Sequence, residues 1–359
     1  MPIPPKVHGR GAQSAAVPQR FGLASREADG DWLDAREDLD GPGPKLRTTV
    51  TEEKARSILS FNQSPDVPFD RSVNAYRGCE HGCIYCYARP THAYHDLSPG
   101  LDFETKLFAK PDAAALLRKT LAKPGYKVAP IAMGTNTDPY QPIEGRYRIT
   151  RQVLELCLET RHPVTITTKS ARVVRDIDLL TELARLNLVA VGISVTSLDP
   201  RLSGLLEPRA SAPAKRLEAL GQLAAAGVPS HVGVAPVIPS ITDEFIEGIL
   251  SEAGQRRVQT ASWIMLRLPH EVAPLFREWL EVHFPDRAAK VMGIVQSVRN
   301  GKDNDPGFFT RMKPLGPWAD LFRHRFRLAC KRSGLNQVKQ QLDCAKFVRP
   351  NLSGQMQLL

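Results

Sequence analysis

A chain of 359 residues, 42% of them hydrophobic, can bury a full core in one large domain or in two ordinary ones. This length excludes a small protein held together by disulfides. The beginning of the chain has no apolar stretch of the length that a secretion signal needs, and the longest apolar run, around residues 188–195, is too short to span a bilayer. We therefore expect a cytoplasmic protein with no membrane partner.

The formal net charge of +10 is concentrated near the C-terminus. Residues 299–349 carry twelve Lys and Arg against four Asp and Glu, so this segment accounts for +8 of the total. Such a segment is able to bind a polyanion, most simply nucleic acid, but it is equally typical of a surface that only keeps a protein soluble. The sequence leaves both interpretations open.

Residues 1–50 are rich in Gly, Pro, Ala and mixed charge and show no apolar periodicity, which predicts a disordered arm. From residue 51 to residue 270, short β-rich runs alternate with segments of helical period. This alternation predicts a core domain with a parallel sheet and right-handed crossovers, either open and doubly wound or a partial barrel. We predict an α/β fold of the partial (βα)6 TIM-barrel type. The candidate strands are Ser72–Tyr76, Val128–Met133, Val164–Thr168, Leu188–Val195, His231–Val237 and Ser262–Leu268.

The segments between these strands carry apolar stripes at helical spacing. Val153, Leu154 and Cys157 form one of them, so we expect Cys157 to be a core residue rather than a reactive one. Residues 271–359 lose the alternation and are predicted to form a helical, basic C-terminal extension. There, Phe322 and Phe326 mark the buried face of a helix whose adjacent face is basic.

Three cysteines lie close together at Cys79, Cys83 and Cys86, directly after the first candidate strand. In the reducing cytoplasm, clustered thiols bind metal or perform chemistry more often than they form disulfides. Three thiolates leave a metal centre with one position open for a ligand that is not protein. Because such folds bind ligands at the carboxyl ends of their strands, this loop is the candidate site.

The alternative interpretation is a zinc knuckle in which a histidine supplies the fourth ligand, since His81, His92 and His95 are close in sequence. A zinc-stabilised module that binds nucleic acid without catalysis would then be the function. However, zinc knuckles organise small domains that lack a core, whereas this loop precedes a long array of strands and helices.

The spacing Cys-x3-Cys-x2-Cys, with an aromatic residue just before the third cysteine, resembles the signature of the radical SAM superfamily. The resemblance implies that the three thiolates hold a [4Fe-4S] cluster and that S-adenosylmethionine (SAM) binds the remaining iron. It further implies reductive cleavage of SAM to a 5′-deoxyadenosyl radical, with an external one-electron reductant of the flavodoxin or ferredoxin type. Residues 70–268 resemble a bacterial branch of this superfamily that is similar to spore photoproduct lyases and often labelled DNA repair photolyase.

The resemblance also implies roles for individual residues. Lys169, in the run Thr167-Thr168-Lys169, resembles the lysine that holds the SAM carboxylate, and Ser194 is a further candidate SAM contact. Tyr85 is expected to lie against the cluster and adenine. Tyr87, beside the third cysteine, is expected on the substrate side and is our candidate catalytic residue.

Three further polar residues are candidates for binding SAM. Asn136 and Asp138 directly follow a predicted strand, where their side chains suit ribose or an amino group, although Asp-Pro is also a common turn signal. Arg209 suits the SAM carboxylate, but it is equally able to pair with Glu207.

One position departs from the lyase pattern. Spore photoproduct lyases use an additional cysteine to return a hydrogen atom to the product, and Thr135 stands at the corresponding position here. An aliphatic O–H bond is too strong for that role. The substrate therefore stays open between nucleic acid, as in the lyases, and a peptide or small metabolite.

Overall fold

The computed structural model describes residues 9–15 and 46–351, which contain ten strands. These are β1 (Thr49–Glu52), β2 (Leu59–Phe61), β3 (Arg71–Val73), β4 (Tyr76–Arg77), β5 (Lys106–Ala109), β6 (Ile131–Met133), β7 (Val164–Thr168), β8 (Val189–Ser194), β9 (Ser230–Val237) and β10 (Thr260–Met265). Seven of them form one sheet in the order β10-β9-β8-β7-β6-β3-β2, in which only the β2–β3 pair is antiparallel. The other three form a small sheet in the order β1-β5-β4.

Eleven α-helices connect and flank the strands in the described part of the chain. They are α1 (Asp102–Thr105), α2 (Ala113–Leu121), α3 (Glu144–Tyr147), α4 (Ile149–Glu159), α5 (Ile177–Arg185), α6 (Pro200–Leu206), α7 (Pro213–Ala225), α8 (Ile246–Gln255), α9 (Val272–His283), α10 (Pro285–Ser297) and α11 (Pro317–Arg332). Short 3-10 helices occupy Arg89–His95, Ala171–Asp176 and Asp243–Phe245. Among the described residues, no helix combines the length and the apolar character needed to cross a membrane.

The predicted α/β fold with a parallel sheet is confirmed. The central strands are nearly continuous apolar runs, which is typical of parallel strands that are buried on both faces. The prediction of one continuous first strand, Ser72–Tyr76, is wrong. The chain breaks at Asn74 and Ala75, so that β3 belongs to the large sheet and β4 to the small one. The strands β1, β2 and β5 were not predicted, since each has only three or four residues and mixed exposure.

The helical stripes lie where the sequence predicts them. Cys157 is fully buried in α4, which confirms it as a core residue. Phe322 and Phe326 of α11 are buried in the same core, and Trp263 of β10 contacts both rings. The predicted helical extension holds only as far as Arg332, because residues 333–351 form neither helix nor strand.

The segment after α11 runs along the amino ends of the parallel strands. Asp343 donates its backbone N–H to Asn187, just before β8, and Val348 donates to Thr160, just before β7. Cys344 therefore lies at the end of the sheet opposite to the cysteine loop. Cys330 is buried in α11 beside Asn336, which in turn binds the backbone just before β10. Neither cysteine reaches the carboxyl ends of the strands.

The predicted disorder of residues 1–50 is wrong for residues 9–15 and 46–50. Residues 10–13 are buried against the loop that carries the cysteines, and β1 begins at Thr49. Their partners lie about ninety residues away, so no local periodicity could reveal the contact. The rest of the arm, residues 1–8 and 16–45, lies outside the described residues.

Candidate cofactor site

The three cysteines lie on the loop after β4, at the carboxyl ends of the parallel strands. Cys79 and Cys83 are buried, each with 7% of its surface exposed, and Cys86 is half-buried. Burial raises the pKa of both the Cys79 and Cys83 thiols above the ordinary value, because a thiolate there loses its hydration. A positive centre bound to the sulfurs would compensate for that loss, as metals do for coordinated thiols.

Two glycines shape this loop. Gly78 and Gly82 have φ angles of 71° and 67°, a region that side chains with a Cβ rarely adopt. A Cβ at Gly78 would also lie 2.6 Å from the Leu107 side chain, and one at Gly82 would lie 2.7 Å from Glu104. The backbone therefore turns sharply just before Cys79 and again just before Cys83, and close packing requires glycine at both turns.

A buried ion pair between Arg89 and Glu104 stabilises the cysteine loop. Arg89 donates to the backbone carbonyls of Cys83 and Gly82, at 2.9 and 3.1 Å, and to the Glu104 carboxylate at 2.5 Å. Both charged side chains are fully buried. Because a buried pair is stable only when its remaining hydrogen-bonding groups are satisfied, Glu104 needs further donors.

The N-terminal segment of residues 9–15 supplies those donors. The backbone N–H groups of Gly11 and Ala12 donate to the two oxygens of Glu104 at 3.0 and 2.8 Å, and Arg10 donates to the Glu104 carbonyl at 2.9 Å. Gly11 lies so close to the loop that a Cβ there would be 1.7 Å from the Gly82 carbonyl oxygen. The segment is thus part of the support for the cysteine loop.

Replacing Gly11 with alanine should detach this segment, because the methyl group has no space beside Gly82. We expect a loss of about 1–3 kcal/mol in the free energy of unfolding and faster deuterium exchange at the amides of residues 11 and 12. Urea unfolding and exchange mass spectrometry measure the two effects. Gly293→Ala is the control, since nothing lies within 4 Å of a Cβ at that helical position. Equal exchange in both variants would contradict the role of the segment.

Asp138 joins the loop after β6 to the end of β7. Its carboxylate accepts hydrogen bonds from the Thr168 hydroxyl at 2.6 Å and from the Lys169 backbone at 2.8 Å, and it lies 3.3 Å from His81 Nδ1. Burial alone would raise the pKa of Asp138, but His81 and these donors hold it at about 2. Both oxygens are engaged by protein donors, so Asp138 positions Lys169 and the cysteine loop.

Tyr85, Lys169 and Glu207 lie together beside Cys83. The Lys169 ammonium stands 5.7 Å from the centre of the Tyr85 ring, and the Tyr85 hydroxyl donates to Glu207. Glu207 is buried and also pairs with Arg216. Burial would raise the pKa of Glu207, yet the positive charges of Arg216 and Lys169 lower it to about 2.

Arg216 extends this group to Ser194. Its guanidinium donates to the Ser194 carbonyl at 3.0 Å and to the Ser211 carbonyl at 2.6 Å. Ser194 ends β8 and is buried. The structure thus brings Ser194, Lys169 and Tyr85 to one place, whereas Glu207 and Arg216, which hold them there, were not among the predicted site residues.

The other predicted residues lie around the loop. The Asn136 backbone is held by the Asn74 side chain at 3.0 Å. Arg209 pairs with Glu80 at 3.0 Å rather than with Glu207, so that alternative is wrong, because Arg216 already occupies Glu207. Tyr87, 55% exposed, donates its hydroxyl to the Thr135 carbonyl at 2.5 Å. The hydroxyl of this candidate residue therefore lies beside the backbone of Thr135, the residue that the resemblance aligns with the additional cysteine.

The histidines of the zinc alternative have other partners. His92 is buried, its Nε2 lies 2.8 Å from the Lys106 carbonyl and its ring packs against Phe103. His95 stacks on Phe108, and His81 faces Asp138. Each ring is thus placed by contacts that do not involve the cysteines.

Comparison with known proteins decides between the interpretations. The family model of the radical SAM superfamily matches residues 73–253, which include the cysteine loop and strands β4 to β9. The chain belongs to the radical SAM superfamily. Members of this superfamily use a [4Fe-4S] cluster and SAM and need an external reductant.

Relatives of this radical SAM protein include uncharacterised proteins from two distant organisms. One from Mycobacterium tuberculosis is 37% identical over 246 residues, which cover 67% of this chain and 72% of the relative. One from Methanocaldococcus jannaschii is 27% identical over 237 residues, which cover 66% and 84%.

Among solved structures, spore photoproduct lyase complexed with dinucleoside spore photoproduct is similar with a TM-score of 0.56 and 17% sequence identity, covering 80% of each chain. A variant of that lyase with the same dinucleoside has a TM-score of 0.57 and 16% identity, covering 89% of this chain and 88% of its own. At this identity the likeness concerns the fold.

Proposed function

We propose that this enzyme uses Cys79, Cys83 and Cys86 to hold a [4Fe-4S] cluster and cleaves SAM reductively to act on nucleic acid or its fragments. The observation that carries the proposal is the position of the cysteine loop at the carboxyl ends of six parallel strands, with Lys169 and Tyr85 beside Cys83. Together, the cluster and SAM supply a 5′-deoxyadenosyl radical that abstracts hydrogen from a substrate.

The chain's own residues would bind and orient SAM. We assign its carboxylate to Lys169 and Arg209, its adenosine to Tyr85 and Asn136, and a further polar contact to Ser194. Asp138 acts through Lys169, because it holds the backbone of that residue in place. Glu207 and Arg216 act in the same way through Tyr85 and Ser194.

Replacing Lys169 with methionine should weaken SAM binding about tenfold, the usual effect of losing a hydrogen bond to a charged group. Equilibrium dialysis of SAM against the reconstituted protein measures the affinity, with iron content as a check on the cluster. Lys215→Met serves as the control, because Lys215 is an exposed helical lysine whose ammonium donates to Glu218. Equal SAM affinity in the two variants would exclude Lys169 from the site.

Tyr87 would act on the substrate side of the loop. A phenolic O–H is a better hydrogen donor than an aliphatic one, because the aromatic ring delocalises the radical that remains. The hydrogen bond from the Tyr87 hydroxyl to the Thr135 carbonyl supports this role, because Thr135 is the residue that the resemblance aligns with the additional cysteine. We expect Tyr87→Phe to lose product formation while Tyr94→Phe, an exposed tyrosine of the same region, retains it.

We infer that the large sheet curves into a partial (βα)6 barrel. Its six parallel strands follow chain order, whereas a doubly wound sheet reverses that order at a switch point. We assign residues 51–270 to the catalytic core and residues 271–359 to an extension. The reductant would be a flavodoxin or ferredoxin of the cytoplasm.

Anaerobic reconstitution, followed by reduction and addition of SAM, tests the chemistry directly. We expect iron and sulfide in the protein and formation of 5′-deoxyadenosine. Protein that carries only zinc after reconstitution, or that forms no 5′-deoxyadenosine, would overturn the proposed chemistry. Addition of DNA, RNA, peptides or metabolite mixtures then separates the substrate classes, since a true substrate should accelerate SAM cleavage.

A further inference from the structure

Arg267 lies just beyond the carboxyl end of β10, on the same side of the sheet as the cysteine loop. Its Nε is buried and has no hydrogen-bond partner among the described residues, and its Nη1 contacts only the Met312 thioether, at 3.2 Å. A buried N–H group without a partner is costly, because burial removes its hydration. The group lacks the oxygen ligand that an arginine fork normally binds.

Charges of both signs surround Arg267. Burial lowers its pKa, and the neighbouring Arg311 lowers it further, while Tyr87, Asp66 and Asp305 oppose this change. Asp66 is already engaged, because it pairs with Arg311 at 2.5 Å. Arg299 is also close, because it donates to the carbonyl of Leu266, the residue before Arg267, at 2.7 Å. Burial and the charge of Arg267 lower the pKa of Arg299 to about 10.

Exposed aromatic rings lie beside these charges. The Arg311 guanidinium stacks on Phe308 at 4.9 Å, and Phe308 and Phe309 are 56% and 57% exposed. Tyr87, 55% exposed, is close enough to Arg267 to interact with its charge. Exposed aromatic rings beside arginines are typical of surfaces that bind single-stranded nucleic acid, where bases stack and phosphates pair with arginine.

We propose that Arg267, Arg311, Phe308 and Phe309, here named the arginine–aromatic surface, bind one nucleotide unit of a single-stranded nucleic acid. Arg267 binds the phosphate and the phenylalanine rings stack on the base, which leaves the neighbouring part of the strand over Tyr87 and the cysteine loop. This assignment rests on the proposed function for its substrate class. Only part of the basic C-terminal segment is near this surface. Arg299 and Arg311 lie at the carboxyl ends of the strands, whereas Arg349 lies at their amino ends.

Binding of a fluorescent oligothymidylate to the reconstituted full-length protein tests the surface without requiring turnover. We expect Arg267→Gln to weaken binding about tenfold and to reduce the magnitude of the salt slope by about 0.7, the contribution of one phosphate in a single strand. Phe308→Ala should weaken binding about tenfold with an unchanged salt slope, because stacking releases no counterion.

Two matched variants control for charge and for aromatic surface. Arg327→Gln removes the same charge from the exposed face of α11, and Phe61→Ala removes an exposed ring from the edge strand β2. Both should bind as the unaltered protein does. If Arg267→Gln fails to fold, Phe308→Ala still decides the question, because Phe308 is on the surface.

Three results would overturn the assignment. One is equal binding by Arg267→Gln and Arg327→Gln, and another is equal binding by Phe308→Ala and Phe61→Ala. The third is an unaltered protein that binds oligothymidylate without salt dependence or that prefers an acidic peptide. Because binding is measured apart from SAM cleavage, each of these can occur while 5′-deoxyadenosine still forms, and the proposed radical chemistry would then stand.

Discussion

Replacing Cys83 with alanine should abolish SAM cleavage and leave the protein with little bound iron. Cys83 is one of three thiols on a loop whose backbone is shaped around them, and Lys169 lies beside it. A cluster held by two thiolates loses an iron ligand that no neighbouring side chain replaces, so we expect the metal affinity to fall by more than about 100-fold. Iron and sulfide analysis, visible absorbance and 5′-deoxyadenosine formation measure the loss.

Cys344→Ser provides the matched control. Cys344 is a half-buried cysteine at the opposite end of the sheet, where the segment around it binds Asn187 and Thr160. We expect its substitution to leave iron content and SAM cleavage unchanged. Iron retention by Cys83→Ala at the level of Cys344→Ser would refute the assignment of the loop.

Arg216→Met should produce the largest loss of stability among the variants considered. Methionine removes the charge that compensates Glu207, which is fully buried, and it removes the donor to the Ser194 and Ser211 carbonyls. Breaking such a buried pair costs about 3–5 kcal/mol. Urea unfolding measures the free energy of unfolding. SAM affinity should fall as well, because Arg216 no longer holds the Glu207 carboxylate to which the Tyr85 hydroxyl donates.

Lys215→Met is again the matched control, because Lys215 directly precedes Arg216 in the same helix. It breaks an exposed pair with Glu218 on the same helix, and such pairs contribute about 0–1 kcal/mol. A loss of stability in Arg216→Met no greater than in this control would show that the buried pair does not stabilise the fold.

The cost of Arg216→Met should also depend on pH. The pKa of Glu207 is about 2 in the folded protein and 4.5 in the ordinary case, so its ionisation contributes stability above pH 4.5 that is lost as the pH falls toward 2. Without Arg216, burial raises the pKa of Glu207, and protonation then relieves the unpaired charge. The difference between the variant and the unaltered protein should therefore be largest at neutral pH and decrease in acid.

The support of the cysteine loop by residues 9–15 has a consequence for how the enzyme is prepared. Truncation at residue 46 would remove two donors from Glu104 while leaving its buried partner Arg89 in place. The N-terminal segment and the cysteine loop are thus energetically connected, so a shortened chain should be less stable than the full one.

The sequence by itself determined those features whose signal is local. The spacing of the cysteines, the apolar runs of the central strands and the stripe that buries Cys157 depend on neighbours within a few residues, and each is found as predicted. Lys169 directly follows the apolar run of β7, and parallel strands bring their carboxyl ends to one side of a sheet, so its side of the sheet was predictable. The roles of Lys169 and Ser194 came from the resemblance and stay predictions.

Only the tertiary structure decided which distant groups meet. Glu104 accepts from Gly11, Arg209 pairs with Glu80, and Tyr87 reaches Thr135, all across separations that carry no periodic signal. The basic C-terminal segment, which reads as one patch in sequence, is distributed by the fold to opposite ends of the sheet. Pairings of this kind depend on how the loops cross after the strands have assembled, and hydrophobic patterning does not encode that geometry.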